Sequence, residues 1–404
     1  MYSCGKNLPR LVFIGDVPIE SSHHGSALLY RLLEDYPPGK LLIIESNLAP
    51  SLPNRRLPNV VYHTMRIGLK RLLNSRLHRL YSAWLSWTAT SRGARVISLV
   101  DDFAPDAVIS VGHGFGWLTA AKVAGDLRIP FHLIMHDDWP RLSGVIGRSR
   151  DWLEERFAQV YCEAASRLCV SPYMAEEYLR RYGASGSVLY PSRSSECPVF
   201  EPVLGRVFTH EEEMVIGYGG NGCPEVVSCL RILASVLAAA KARLCIYGPF
   251  AETVKQELLA ISSAITFHGM VPYRDMIAGL HATADLLFVP MSFGDESRDN
   301  MIVSFPSKLA DYTATGRPLL IYGPPFCSAV RWAKSNFEVA EVVEEADSAH
   351  ILASLVRLRN NPSHSSVLAR RAGEVGKQNF SASSARTHLH EVLTAGATAL
   401  GVKY

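Results

Sequence analysis

No run of about 18 apolar residues occurs in this chain, so it offers no candidate for a membrane-spanning helix. No Cys-x-x-C pair occurs either. The eight cysteines stand apart at Cys4, Cys162, Cys169, Cys197, Cys223, Cys229, Cys245 and Cys327, several of them inside apolar strings such as 167–170. They read as small buried hydrophobes in a reducing compartment, not as disulfides or zinc ligands. Neither charge is in large excess: 41 Lys and Arg against 38 Asp and Glu leave a net +3. Bulk charge therefore gives no argument for nucleic acid. The first ten residues lack the basic, apolar and small-residue layout of a signal peptide and lead straight into an apolar run at 11–15. A cytoplasmic location is the expectation. What is present is a globular composition, 48% hydrophobic and 20% charged over 404 residues. That length suits about two to three domains.

Short apolar runs alternate with amphipathic stretches. Strands are predicted at 11–15, 41–45, 60–62, 107–111, 131–135, 167–170 and 187–189, with helices over 25–34, 68–87, 92–103, 117–127, 151–163 and 173–182. The rhythm breaks over 190–213, which carries Pro191, Pro198 and Pro202, a serine-rich patch and the acidic cluster Glu211–Glu213. This reads as a linker. The alternation then restarts, with strands predicted at 214–218, 243–247, 265–268, 286–290, 319–322 and 340–343. Parallel sheets covered by helices on both faces follow from such a pattern. The fold class is α/β, as two Rossmann-like halves, with a helical tail over 381–400.

Residues 304–322, SFPSKLADYTATGRPLLIY, are the most informative stretch. They read as a loop, a helix over 307–315, a stop at Gly316 and a buried strand. Ser307 and Lys308 fall at the start of that helix, where free N–H groups and the dipole suit a phosphate. Lys308 adds a cation. Asp311, one turn on, is placed to accept a hydrogen bond from a sugar hydroxyl. An ordinary capped helix feeding a strand is the other reading.

Pro306, Ser307, Lys308, Asp311, Gly316 and Pro318 resemble the donor-binding segment of GT-B glycosyltransferases of the family 4 type. The order 269–272, 284–290 and 306–318 is similar to the second domain of those enzymes, and Gly25, residues 106–113 and the strand ending at His136 resemble the first more loosely. The resemblance implies two Rossmann-like domains facing across a cleft, with a C-terminal helix crossing back to the first. The expected domains are 1–195 for the acceptor, 196–380 for the nucleotide sugar and 381–404 for the crossover helix. It also implies transfer of a sugar from a UDP- or GDP-linked donor to an acceptor carbohydrate, lipid-linked acceptor or small molecule, with retention and without a metal or other cofactor. The nearest alternatives are a sugar-nucleotide epimerase of the same fold and a non-catalytic protein that binds a nucleotide sugar or a partner.

Residues 217–222, GYGGNG, satisfy G-x-G-x-x-G after a predicted strand. The next strand ends without the acidic residue that a dinucleotide ribose needs, which argues against NAD. Gly219, Gly220 and Asn221 could still let backbone approach a diphosphate. A tight strand-to-helix turn is the plainer reading. Two departures from the family pattern stand out. No arginine or lysine follows Gly220, so Lys308 and Arg298 would have to neutralise the diphosphate. Val303 stands where the family carries the first glutamate of its Glu-x7-Glu pair. Asp295, Glu296 or Asp299, from a predicted acidic loop, would have to replace it. His268, Gly269, Met270 and Val271 resemble the segment whose backbone meets the nucleobase.

In the first half, His113 ends a strand among glycines, where open α/β sheets bind ligands. It corresponds loosely to the family's histidine facing the donor sugar. His136, Asp137 and Asp138 follow another strand, as acceptor ligands or, for Asp137, a base. His24 and Gly25 open the first helix, in a loop that the resemblance implies lies near the reacting phosphate or binds the acceptor; His23 and His24 lack a further ligand pair, so no zinc site is expected. Residues 66–87, RIGLKRLLNSRLHRLYSAWLSW, place Leu69, Leu73, Leu77, Leu80, Trp84 and Trp87 on one helical face beside a basic one. The commoner outcome is a core-facing helix. The other is peripheral contact with the inner face of a membrane.

Overall fold

The computed structural model describes residues 8–21, 24–139 and 141–399. The chain divides into two compact units, residues 1–191 with 382–404, and residues 192–381.

The first unit is built on a seven-stranded sheet in the order β3-β2-β1-β4-β5-β6-β7. Its strands are β1 Leu11–Gly15, β2 Leu41–Ser46, β3 Val61–Met65, β4 Ala107–Val111, β5 Phe131–Met135, β6 Ser166–Cys169 and β7 Ser187–Val188. All pair in parallel, with Leu11 opposite both Leu41 and Ala107. Strands β1, β4 and β5 are buried at every position, which is why they read as continuous apolar runs. The order reverses direction between β1 and β4, and ligand crevices form outside the carboxyl ends of strands at such a point.

The second unit repeats the plan with six parallel strands in the order β10-β9-β8-β11-β12-β13. These are β8 Met214–Gly219, β9 Ala242–Tyr247, β10 Ile265–Gly269, β11 Leu286–Pro290, β12 Leu319–Tyr322 and β13 Glu341–Val343. Its switch point lies between β8 and β11. The core beneath is led by Leu230, Leu233 and Leu237 of the helix Pro224–Ala240, packed on Ile216, Leu244 and Phe288.

The terminal helix Ala382–Ala399 belongs to the first unit. Leu389 and Leu393 enter that unit's core beside Leu29, Leu32 and Leu33. Arg386 pairs with Glu34 and, at 2.9 Å, with Asp35 at the end of the helix His24–Leu33. The crossing back of the chain expected from the resemblance is thus held by an apolar stripe and an ion-paired arginine.

Four local expectations are corrected. The helix predicted over 68–87 is two, Lys70–Leu73 and His78–Trp87. The break falls at Asn74 and Ser75, where the Ser75 hydroxyl donates back to the Leu72 carbonyl at 2.8 Å. Its apolar face is not core-facing: Leu69, Leu77, Leu80, Trp84 and Trp87 are all exposed. The acidic loop before the 304–322 motif is largely structured, as a 3₁₀ turn Asp295–Ser297 and a helix Arg298–Val303. An 18-residue helix, Pro362–Asn379, has no counterpart in the sequence reading. Asn361 Oδ1 accepts from the His364 N–H at 3.0 Å and Pro362 occupies the first turn, so this helix starts one residue after the preceding one ends. Gly373 and Gly376 within it weaken the helical signal. A Cβ at Gly376 would come within 2.2 Å of Thr313 Oγ1, so close packing on the motif helix selects that glycine.

His132 on β5 is fully buried, with Nδ1 2.8 Å from Ser166 Oγ and no described partner at Nε2. Burial pushes its pKa down to about 4 from 6.5. The unfolded chain then binds the proton more tightly, so stability is unaffected above about pH 6.5 and falls as pH drops from there towards 4. The loss attributable to His132 is on the order of 3 kcal/mol at the acid end. His132→Asn should flatten the urea midpoint against pH over that window. Parallel wild-type and variant curves would show that His132 does not carry the dependence.

Candidate functional site

In the second unit the carboxyl ends of β8, β9 and β10 present bare backbone. The Gly220 N–H donates to the Tyr247 carbonyl at 2.9 Å, and the Gly248 N–H donates to the Gly269 carbonyl at 2.7 Å. Gly248 has φ +124°, and a Cβ there would stand 2.0 Å from the Gly220 carbonyl oxygen. No other residue type fits that approach without displacing the chain. The result is a shelf of closely packed peptide groups at these strand ends.

Lys308 lies along this shelf. A Cβ at Gly220 would meet Lys308 Cε at 2.5 Å and Nζ at 3.0 Å, and the ammonium sits 5.3 Å from the centroid of the Tyr218 ring. Burial lowers its pKa, while Cys223 and Asp311 raise it. No carboxylate among the described residues forms an ion pair with Lys308. A partly buried cation with no ion-pair partner among the described residues, beside half-buried glycine backbone, is equipped for an anion.

The motif helix that carries Lys308 is fastened from several sides. It runs only Lys308–Tyr312, shorter than the 307–315 expected. Ser307 makes no side-chain cap, and the N–H groups of Leu309 and Ala310 already bond the carbonyls of Pro306 and Ser307. A five-residue helix so engaged brings little dipole, so positive charge here rests on Lys308. The Tyr312 hydroxyl accepts from the Gly219 N–H at 2.7 Å. Buried Arg193 donates to the Ala310 carbonyl and to Thr313 Oγ1, each at 2.8 Å. The Tyr273 hydroxyl donates to Asp311 Oδ1 at 2.5 Å. Gly248, Tyr312, Arg193 and Tyr273 were missed in the sequence. Only Gly248, a glycine just past a strand end, left a local signal.

Other expected donor residues are distributed around this group. Gly219, Gly220 and Asn221 are in the shelf, and the Asn221 carbonyl accepts from the Tyr218 hydroxyl at 3.0 Å. His268 is exposed and stacks on Tyr247 with ring centroids 4.3 Å apart. Gly269 ends β10, Met270 is exposed and Val271 half-buried. Arg298 lies 4.0 Å over the Phe326 ring and makes no described contact with Lys308 or Gly220.

In the first unit, Asp16 beyond β1 accepts from the N–H groups of Phe115 and Gly116 at 2.6 and 2.9 Å, fixing the turn after β4. That turn presents His113. Its ring lies 4.7 Å from the Trp139 ring, and its Nδ1 is 3.9 Å from Asp137 Oδ2. Gly25 comes close as well, since a Cβ there would be 3.9 Å from His136 Nδ1. Burial pushes the His136 pKa down to about 4, with Asp137 opposing and His113 reinforcing the shift. The structure thus gathers Gly25, His113, His136 and Asp137 at the carboxyl ends of β4 and β5. Asp138 is a correction. It is buried and bonded to Arg181 at 2.7 Å, and desolvation raises its pKa against the pull of that arginine. Its carboxylate is engaged within the fold and is not open at the surface. The His24 side chain lies outside the described residues.

Residues 48–191 match the family model described as Glycosyltransferase Family 4. That match falls within the first unit, whereas the motif at 304–322 lies in the second. Among solved structures, Anabaena HepE in complex with UDP and glucose superposes with a TM-score of 0.67 over 96% of this chain and 100% of that one, at 13% identity. The chain has the GT-B fold, and its residues 48–191 resemble glycosyltransferase family 4. An α,α-trehalose 6-phosphate synthase from Burkholderia multivorans shares this GT-B fold at a TM-score of 0.63 and 12% identity, covering 96% of this chain and 99% of that one. WaaG, a glycosyltransferase involved in lipopolysaccharide biosynthesis, does so at 0.59 and 12%, covering 97% and 100%. No curated protein matches the sequence significantly.

Proposed function

We propose that the protein transfers a sugar from a nucleoside-diphosphate sugar to an acceptor hydroxyl. The observation that carries the reading is Lys308, a partly buried cation with no ion pair among the described residues, against the Gly220–Gly248 backbone. Departure of the diphosphate builds negative charge on its oxygens, and a fixed cation in a partly dry site stabilises it without solvent reorganisation. Asp311, oriented by Tyr273, is assigned the ribose hydroxyls, and the backbone of 268–271 the base. His113 and Asp137 are assigned the sugar and the acceptor hydroxyl. A uridine nucleotide is the favoured donor, because related folds have been captured with UDP, UDP-glucose and UDP-2-fluoro glucose. Retention is the stereochemistry that the family resemblance implies.

Two residues favour a second reading, a nucleotide-sugar binder without turnover. Val303 is fully buried where the family carries a glutamate, and Asn221 supplies no cation after Gly220. One assay separates the readings. The full chain is incubated with UDP-glucose, and both binding and UDP release are followed. Binding with slow release is expected of the transferase. Binding with no release over many hours selects the binder. Neither binding nor release with any nucleotide sugar discards both.

A further inference from the structure

The helix His78–Trp87 is turned inside out. Its buried residues are Ser82, Leu85 and Ser86. Its outward residues are Leu80, Trp84 and Trp87, which are 73%, 47% and 58% exposed. With Leu77 they recur at spacings of three and four, so they form one stripe. Leu69 joins it: the Leu69 N–H donates to the Tyr81 hydroxyl at 2.6 Å, and Tyr81 stacks on Trp84 with centroids 5.5 Å apart. The loop bearing exposed Leu142 and Ile146 also reaches this helix, since a Cβ at Gly144 would lie 4.0 Å from His78 Cδ2. Scattered exposed leucines are ordinary, but a grouped set of leucines and tryptophans on one helix marks a surface that meets something.

Charge says what it meets. Between Glu45 and Asp101 the sequence contains no Asp or Glu, although about one residue in eleven of the whole chain is acidic. The same span holds nine Lys and Arg. Five of them, Arg66, Lys70, Arg71, Arg76 and Arg79, are exposed around the stripe, and none forms an ion pair among the described residues. A second copy of this face would bring like charges together. An anionic lipid surface satisfies both features at once: tryptophan and leucine enter the headgroup boundary, and arginine and lysine meet the phosphates. Among the described residues no helix is long and apolar enough to cross a membrane. Contact of this kind is therefore peripheral.

We propose that the face formed by Leu77, Leu80, Trp84 and Trp87, with its basic flank, docks the protein on an anionic lipid bilayer. The test uses the full chain and sedimentation with vesicles of phosphatidylcholine, either pure or containing about one third phosphatidylglycerol. Expected is partition onto the anionic vesicles at least tenfold stronger than onto the neutral ones, and weaker at high salt. Leu80→Glu with Trp87→Glu should lower that partition at least tenfold and leave the melting temperature nearly unchanged, because both side chains are mostly exposed. Three results would overturn the proposal. One is no partition onto anionic vesicles. Another is equal partition of wild type and double variant. The third is a concentration-dependent dimer, lost in the double variant, with no vesicle binding. None of these readouts involves a nucleotide sugar, so they stand apart from the test of transferase activity.

Discussion

Lys308→Ala is expected to lower nucleoside diphosphate release from the donor about 100-fold, the scale seen when one preorganised charge-stabilising group is removed. Lys308 is the cation described against the Gly220 shelf, and Arg298, the other candidate, is engaged with Phe326. Nothing in the shelf would replace it, because Asn221 is neutral. The loss should appear in kcat as well as in nucleotide affinity, since the lysine meets the bound diphosphate and the charge on it grows as the bond breaks. Folding should survive, because the lysine forms no ion pair among the described residues and its burial opposes its charge. Release within threefold of wild type would remove Lys308 from the mechanism.

The second large effect is expected from Gly248→Ala. At φ +124° an alanine is strained, and its Cβ would stand 2.0 Å from the Gly220 carbonyl oxygen. Backbone cannot yield as a flexible side chain can, so the Gly220 segment beside Lys308 must shift. Strain and displacement together should cost the second unit about 2–4 kcal/mol. Donor affinity should fall at least tenfold. Gly269→Ala is the control for stability. Gly269 has φ +69°, but no atom lies within 4 Å of the position its Cβ would take, so only backbone strain of about 1 kcal/mol applies. Equal destabilisation by the two substitutions would mean that close approach to Gly220 is not what Gly248 supplies.

How much of this could be read from residues alone depended on how far each signal reaches. Strands β1, β4, β5, β11 and β12 announced themselves because fully buried parallel strands are unbroken apolar runs bounded by glycine, proline or polar residues. Lys308 and Asp311 were legible because they share one short motif. The groups that fasten them were not. Arg193 meets Thr313 across 120 residues, Tyr312 meets Gly219 across 93 and Tyr273 meets Asp311 across 38. No local pattern encodes such pairings. The helix Pro362–Asn379 was hidden by an Asn-Pro start and two interior glycines, features that usually mark a loop. Periodicity found the apolar stripe of Leu77, Leu80, Trp84 and Trp87 but placed it inward. An amphipathic pattern states which residues share a face, and only the tertiary structure states whether that face is covered. Asp138 failed for a related reason: adjacency to Asp137 suggested a shared role, yet successive residues point apart, and Arg181 claims the second carboxylate.

The central claim is that the second unit holds a nucleoside diphosphate on the Gly220–Gly248 shelf with Lys308. The most direct test is a thermal-shift titration of the full chain against UDP, GDP, ADP, TDP, CDP and their common sugar conjugates, repeated on Lys308→Ala. A ligand bound only by the folded state stabilises by mass action, about 2.7 kcal/mol at 100 times its Kd. The account predicts a clear rise in melting temperature with UDP or a UDP-sugar in the wild type and a rise at least several degrees smaller in the variant. No rise with any of these nucleotides, or the same rise in both proteins, would contradict it.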